Sequence, residues 1–250
     1  MRIGSKTVSG FNKFGNYVLK CLLGTEFASF IAMHEVSVKD TPIFPPAAGI
    51  AIRVPAVLFS DAKTEIIRKS IHFLIALSPG MAAMNYSLTV LALMAGVLSY
   101  TFMEQLRLAG IKVPLVSTLT GMASRPRDMG SFVLGPVTLG IGALLALLLF
   151  PSPAASIGIY ALAFGDGFAS LAGKLFGKIR PAFLFGKSIE GSMACFTATY
   201  ISAWTVSRDP AVSMTAAITA TSVEALPLGD YDNIALPLIV AFFVQVAMIM

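Results

Sequence analysis

Runs of apolar residues long enough to cross a bilayer, separated by short basic loops, fill most of this sequence. A transmembrane helix needs about 20 predominantly apolar residues. Seven segments meet or approach that requirement, at 70–83, 86–103, 131–150, 154–173, 189–206, 211–226 and 232–250. The first is short, and Pro79-Gly80 is expected to break it. Two weaker candidates precede them: 15–33 contains Lys20 and Glu26, and 46–60 contains Arg53. Either fits an interfacial placement as well as a crossing. Only 12% of the chain is charged and 56% is hydrophobic, against roughly a quarter charged in a soluble domain. With lipid as solvent, the backbone must satisfy its own hydrogen bonds, and no alternating barrel pattern is present. The expectation is an all-α, polytopic bundle of about seven core spans plus up to two N-terminal hydrophobic segments. Residues 1–63 form a hydrophobic extension without an assigned role, and 64–250 form the membrane domain.

Lysine and arginine are distributed asymmetrically. If all nine segments cross, the loops on the N-terminal side hold fourteen of the eighteen and the opposite loops hold two, Lys39 and Arg208. Positive charge marks the cytoplasmic side, which predicts a multi-pass integral membrane protein with its basic loops in the cytosol. Cys21 and Cys195 lie in apolar stretches and read as small buried hydrophobes. The basic start (Arg2, Lys6, Lys13) has no clean signal-peptide cleavage site behind it. Nucleic acid is not an expected partner, and the sequence sets no oligomeric state.

The stretch FGDGFASLAGKLFGKIRPAFLFGKSIEGS, from Phe164 to Ser192, concentrates the chemistry. Asp166 is an acid at membrane depth, where ionisable groups are costly and mark function by default. On a helix, Asp166, Ser170, Gly173 and Gly177 share one face. Two readings stand: a small-residue helix contact with a satisfied acid, or a metal-binding carboxylate beside a backbone that admits a ligand closely. Ser188 is placed to N-cap the next helix and Glu190 falls in its first turn, both favourable there. Lys187 is unfavourable near the positive end of a helix dipole, so capping leaves it unexplained; a lysine beside free backbone N–H groups makes an anion site. A Walker loop is excluded, because its pattern needs glycine where the chain has Pro181.

More polar groups fall at the same helix ends. Arg68 and Lys69 precede His72, one turn from Arg68, and read either as membrane anchoring or as phosphate-binding groups. Glu104 and Arg107 precede a long loop carrying Arg125, Arg127 and Asp128; solvated loop charge is the alternative reading. Glu224, Asp230, Asp232 and Asn233 surround a Pro-Leu-Gly turn. Asp230 or Asp232 suits an N-cap, whereas Glu224 sits in the last turn of its helix, where an acid is unfavourable. Acids able to hold Mg²⁺ and cations able to hold phosphate thus gather on one side of a lipid-embedded bundle.

Four blocks in order resemble the CTP-dependent lipid kinases, the family of dolichol kinase, phytol kinase and fungal-type diacylglycerol kinase: Arg68-Lys69-x-x-His72; Gly165-Asp166-x-x-Ala169-Ser170-x-x-Gly173-x-x-x-Gly177; Lys187-Ser188-x-Glu190-Gly191-Ser192; and Glu224-Ala225 followed by Asp232-Asn233-x-x-x-Pro237-Leu238. The resemblance covers roughly 64–250 and extends to the nucleotide motif of phosphatidate cytidylyltransferases (CDP-diacylglycerol synthases). Those enzymes usually carry a lysine-doubled version of the third block and a histidine-glycine-aspartate signature near the C-terminus, which this chain lacks; that favours the kinase branch.

The resemblance implies CTP as phosphoryl donor, a divalent cation such as Mg²⁺, and a membrane lipid alcohol (a polyprenol, phytol or diacylglycerol) as acceptor. It implies nucleotide binding by Ser170, Gly173, Gly177, Lys187, Ser188, Glu190 and Gly191. From these residues we expect metal ligation by Asp166, Asp232, Glu190 and Glu224. Arg68, Lys69, Arg125 and Arg127 are expected to neutralise phosphate charge, and His72 or an acid to take the acceptor proton. The expected catalytic set is Asp166, Lys187, His72 and Asp232. A non-enzymatic transporter is the alternative from another class; it would place polar groups near midplane along a continuous path.

Overall fold

In the computed structural model the described residues are 55–111, 113 and 130–249. The hydrophobic segment 15–33, most of 46–60, and Arg125 and Arg127 lie outside them. Among the described residues every regular element is helical.

Helix α1 spans Pro55–Ile75 and therefore runs through 61–69, which the sequence presents as a loop. Its break also differs from expectation: the chain turns at Ala76, ahead of Pro79, and resumes as α2, Leu77–Met84. Pro79 has no N–H to give the Ile75 carbonyl, and the Ser78 hydroxyl donates to that carbonyl instead, at 2.8 Å. Asn85 then caps α3, Tyr86–Leu108, accepting from the Leu88 N–H at 3.0 Å. After residue 130 come α4, Gly135–Leu149, with Pro136 in its first turn, and α5, Ala154–Tyr160. A wide π-helical turn, Ala161–Asp166, joins α5 to α6, Gly167–Leu175. Such turns insert an extra residue into an α-helix and are frequent at functional sites; this one ends on Asp166.

Ser188 caps α7, Ile189–Ser207, accepting from the Gly191 N–H at 3.1 Å. Asp209 caps α8, Pro210–Glu224, accepting from the Ala211 and Val212 N–H groups at 2.7 and 3.2 Å. A short 3₁₀ turn, Gly229–Tyr231, leads into α9, Asp232–Ile249.

Among the described residues, three stretches are long and apolar enough to cross a membrane: Tyr86–Leu108, Ala154–Leu175 and Gly229–Ile249. The apolar helix Gly135–Leu149 is shorter. The expected count of seven therefore does not follow from helix length and composition. Helices α7 and α8 are interrupted by serine, threonine and acidic side chains, which lower their hydropathy.

The interior is built from small side chains. Ala161, Ala203, Ala216 and Ala220 are fully buried around Ile157, Leu162, Leu236 and Val240, and Ala143 and Ala146 are fully buried in a second cluster with Ile159. Large apolar residues face outward instead, including Leu88, Leu91, Leu98 and Phe102 on α3. Small residues inside let helices approach closely without a hydrophobic driving force between them, the packing mode of lipid-solvated bundles. Two glycines show how close. A Cβ on Gly142 would overlap the Asn233 carbonyl, and one on Gly158 the Pro237 carbonyl, both on α9. These contacts seat α9 against α4 and α5 and carry its first residues to the site.

Candidate functional site

Glu65, Arg68, Lys69 and His72 follow the i, i+3, i+4, i+7 spacing that puts four side chains on one face of α1. That face lies against α6 and the π turn. Lys69, only 1% exposed, forms an ion pair with Asp166. The Nδ1 atom of His72 lies 3.2 Å from the same carboxylate oxygen. One turn earlier, Glu65 pairs with Arg68 through one carboxylate oxygen and with Lys174 of α6 through the other. Burial opposes ionisation of Glu65, but the charge of Arg68 and the hydrogen bonds from Arg68 and Lys174 prevail and hold its pKa at about 2.

A second pair closes the opposite wall. Lys187 Nζ donates to Glu224 Oε1 at 2.6 Å and to the Glu224 backbone carbonyl at 2.8 Å. The helix-end acid thus receives a cation, and its lysine satisfies a terminal carbonyl that α8 leaves free. The other carboxylate oxygen, Oε2, is buried without a hydrogen-bond partner, as is the Nε atom of Arg68.

These groups surround one cavity of about 640 Å³. Its polar walls carry five cations (Arg68, Lys69, Lys174, Arg180, Lys187), five carboxylates (Glu65, Asp166, Glu224, Asp230, Asp232) and His72. Ser170, Gly173, Ser188 and Gly191 line it where α6 meets the start of α7. Ile71, Leu74, Val133, Pro136 and Leu139 supply an apolar wall from α1, α4 and the segment just before α4. Asn233, on the floor, donates to Thr138 Oγ1 at 3.0 Å and ties α9 to α4.

The crossing of α6 and α7 explains the glycines. A Cβ on Gly191 would stand 2.9 Å from the Ala169 carbonyl and 3.3 Å from the Gly173 Cα. One on Gly177 would collide with the Gly173 carbonyl and lie 2.7 Å from Ser188 Oγ. The small residues therefore bring the capped start of α7 against Ala169 and Gly173 of α6, on the wall of the cavity that Asp166 also lines.

Most sequence-predicted site residues converge here: Asp166, Lys187, His72, Asp232, Ser170, Gly173, Ser188, Gly191, Arg68, Lys69 and Glu224 all line the cavity. Two do not. Gly177 packs beneath Ser188. Glu190 turns to the connecting loop, accepting from the backbone N–H groups of Lys178 and Ile179 at 2.9 and 3.3 Å. Glu104 is buried away from the cavity: it pairs with Arg107 at 2.8 Å and accepts from the Val133 N–H at 3.0 Å. Three groups in the walls were missed by motif spacing, namely Glu65, Lys174 and Arg180. The helical stripe beginning at Glu65 was a signal for the first of them. Among the described residues, no three His, Cys, Asp or Glu side chains converge as a ready-made metal centre.

Chemically, the cavity offers cations for phosphate, carboxylates for a divalent ion, an imidazole for proton transfer and an apolar side. The free N–H groups expected beside Lys187 are not among its donors, because those of Ile189, Gly191 and Ser192 already bond the Ile179 carbonyl, Ser188 Oγ and the Ser188 carbonyl. No protein-family model matches the chain, and no solved structure does.

The chain is similar to a probable phytol kinase. That relative is the probable chloroplastic phytol kinase 1 of Oryza sativa subsp. japonica, 28% identical over 147 residues. The match covers 52% of this chain and 47% of the relative. The chain thus spans about half the length of the curated relative it matches.

Proposed function

We propose that this protein is an integral membrane kinase that transfers the γ-phosphate of CTP to the hydroxyl of a membrane lipid alcohol at the cytoplasmic face. The observation that carries this reading is the cavity in which paired cations and carboxylates face an apolar wall. Such a site accepts a polar phosphate donor from one side and a hydrocarbon-bearing acceptor from the other. The similarity to a phytol kinase supports the acceptor class.

Phosphoryl transfer asks the protein mainly for positioning and charge stabilisation. Lys187 and Arg180 hold the phosphates. Arg68, whose Nε is buried and unsatisfied, and Lys69 stabilise charge on the transferring group. The acceptor oxygen bonds to the γ-phosphorus as the bond to the β–γ bridging oxygen breaks, and CDP leaves. His72 receives the hydroxyl proton. Asp166, 3.2 Å from its Nδ1, stabilises by its charge the imidazolium that forms.

The residues present suit Mg²⁺, which usually binds through one or two carboxylates and substrate phosphates and keeps several waters. Asp166 and Asp232 would hold it, with Glu224, whose Oε2 is unpartnered, as the alternative second carboxylate; when bound, it would neutralise phosphate charge. Glu190, engaged by the loop backbone, is not in this set.

The test is purified full-length protein in detergent with CTP labelled at the γ or α phosphorus and phytol, a polyprenol or diacylglycerol as acceptor. Label reaching lipid from the γ position is the expected result. Label from the α position with release of pyrophosphate would make the protein a cytidylyltransferase and overturn the proposal.

A further inference from the structure

The segment joining α6 to α7 carries a surface that the cavity does not use. Phe183 and Phe185 are 72% and 64% exposed, and Phe176 and Ile179 are also exposed. The loop is braced. Arg180 donates to the carbonyls of Gly173 and Gly186 at 2.7 and 2.6 Å. Glu190 accepts from the backbone at 178 and 179, and the Ile189 N–H donates to the Ile179 carbonyl at 3.0 Å. Phe185 is held at φ +49, a left-handed conformation unfavourable to a side chain of its size. A loop fixed in this way presents its rings outward by construction.

Two further observations name what the rings meet. Residues 174–188 contain Lys174, Lys178, Arg180 and Lys187 and no acid. The loop also begins where Ala154–Leu175, one of the three membrane-length stretches, ends, so the helix delivers it to the depth of the lipid headgroups. Aromatic rings interleaved with cations at that depth match the amphipathic boundary of an anionic leaflet. Left in water, the same rings would form an exposed apolar patch.

We propose that this loop docks on an anionic bilayer surface, with Phe183 and Phe185 in the headgroup–acyl boundary and the exposed Lys178 on lipid phosphate, the other three cations being turned to Glu65, Glu224 and backbone carbonyls. Arg180, Gly186 and Lys187 belong to both the loop and the cavity wall, so docking holds one wall of the site at the membrane surface. The proposal does not depend on which reaction the cavity performs.

The experiment uses full-length protein carrying Trp204→Phe, which removes the one native tryptophan, together with Phe183→Trp or, separately, Phe185→Trp. Each is reconstituted in vesicles of phosphatidylcholine with or without phosphatidylglycerol, and quenched with brominated lipid or acrylamide. The expected result is blue-shifted emission, loss of most intensity to bromines near the acyl carbonyls, and severalfold weaker quenching without phosphatidylglycerol. Emission typical of water, open to acrylamide and insensitive to brominated lipid in both reporters, would overturn the proposal. So would shielding that appears only on addition of soluble cell extract, which would make the surface a protein-docking face.

Discussion

Lys187 reaches the end of α8 and grips Glu224 twice, through its carboxylate at 2.6 Å and its backbone carbonyl at 2.8 Å. The contact explains two residues that are unfavourable alone: a lysine at a helix start and an acid at a helix end. It also joins the loop before α7 to α8 across the mouth of the cavity.

Lys187→Met is therefore expected to lower CTP turnover by at least about a hundredfold, the scale of losing one charge-stabilising group. Lys187→Arg should retain part of the thermal stability while remaining impaired in turnover, because a guanidinium does not reproduce the compact contact with the carbonyl. Turnover of γ-labelled CTP and thermal unfolding of the two variants separate these effects.

The Lys69–Asp166 pair predicts a double-mutant cycle. Asp166→Leu strands a buried ammonium, and Lys69→Met strands a buried carboxylate; each costs about 3–5 kcal/mol. The combined variant should recover most of that stability, since both charges are gone, yet remain inactive. Denaturant titration and the kinase assay check the two halves; additive destabilisation would mean the residues do not act as a pair.

Gly177→Ala should destabilise by about 1–3 kcal/mol, because the new methyl collides with the Gly173 carbonyl and presses on Ser188. The same change at Gly96, where a Cβ meets nothing within 4 Å, serves as the control and should be neutral or slightly stabilising in the same titration.

Glu65 predicts an acid limit. Its folded pKa of about 2 lies below the ordinary 4.5, so its contribution is complete above the unfolded value and is lost as pH falls through the folded one. Wild type should lose stability relative to Glu65→Gln as pH drops below about 4.5. A constant difference in melting temperature across that window would refute the assignment.

Leu74, 63% exposed yet part of the apolar cavity wall, stands where an acceptor tail would pass into lipid. Leu74→Trp should raise KM for the lipid alcohol severalfold and leave KM for CTP unchanged. Steady-state kinetics in mixed micelles provide the test.

The helical class was legible because apolar run length and charge placement respond to the solvent around each segment, a local property. The cap at Ser188 was legible for the same reason: it needs only its own helix start. The loop expected at 61–69 was not, because Lys63, Arg68 and Lys69 look solvated in sequence. In the structure, Glu65 and Asp166 take up the charges of Arg68 and Lys69 within a helix. Glu190 illustrates the converse. Its position in the first turn was readable, but its orientation toward residues 178 and 179 depends on how the loop folds back.

Sequence alone determined that the described residues form a bundle of largely apolar helices, since period and composition are fixed residue by residue. Only the tertiary structure decided the partners. Lys69 meets Asp166 across 97 positions and Lys187 meets Glu224 across 37. Which carboxylate each buried cation finds is set by how closely glycine and alanine let α1, α6, α7 and α8 approach, a property of the packed bundle and not of any one segment.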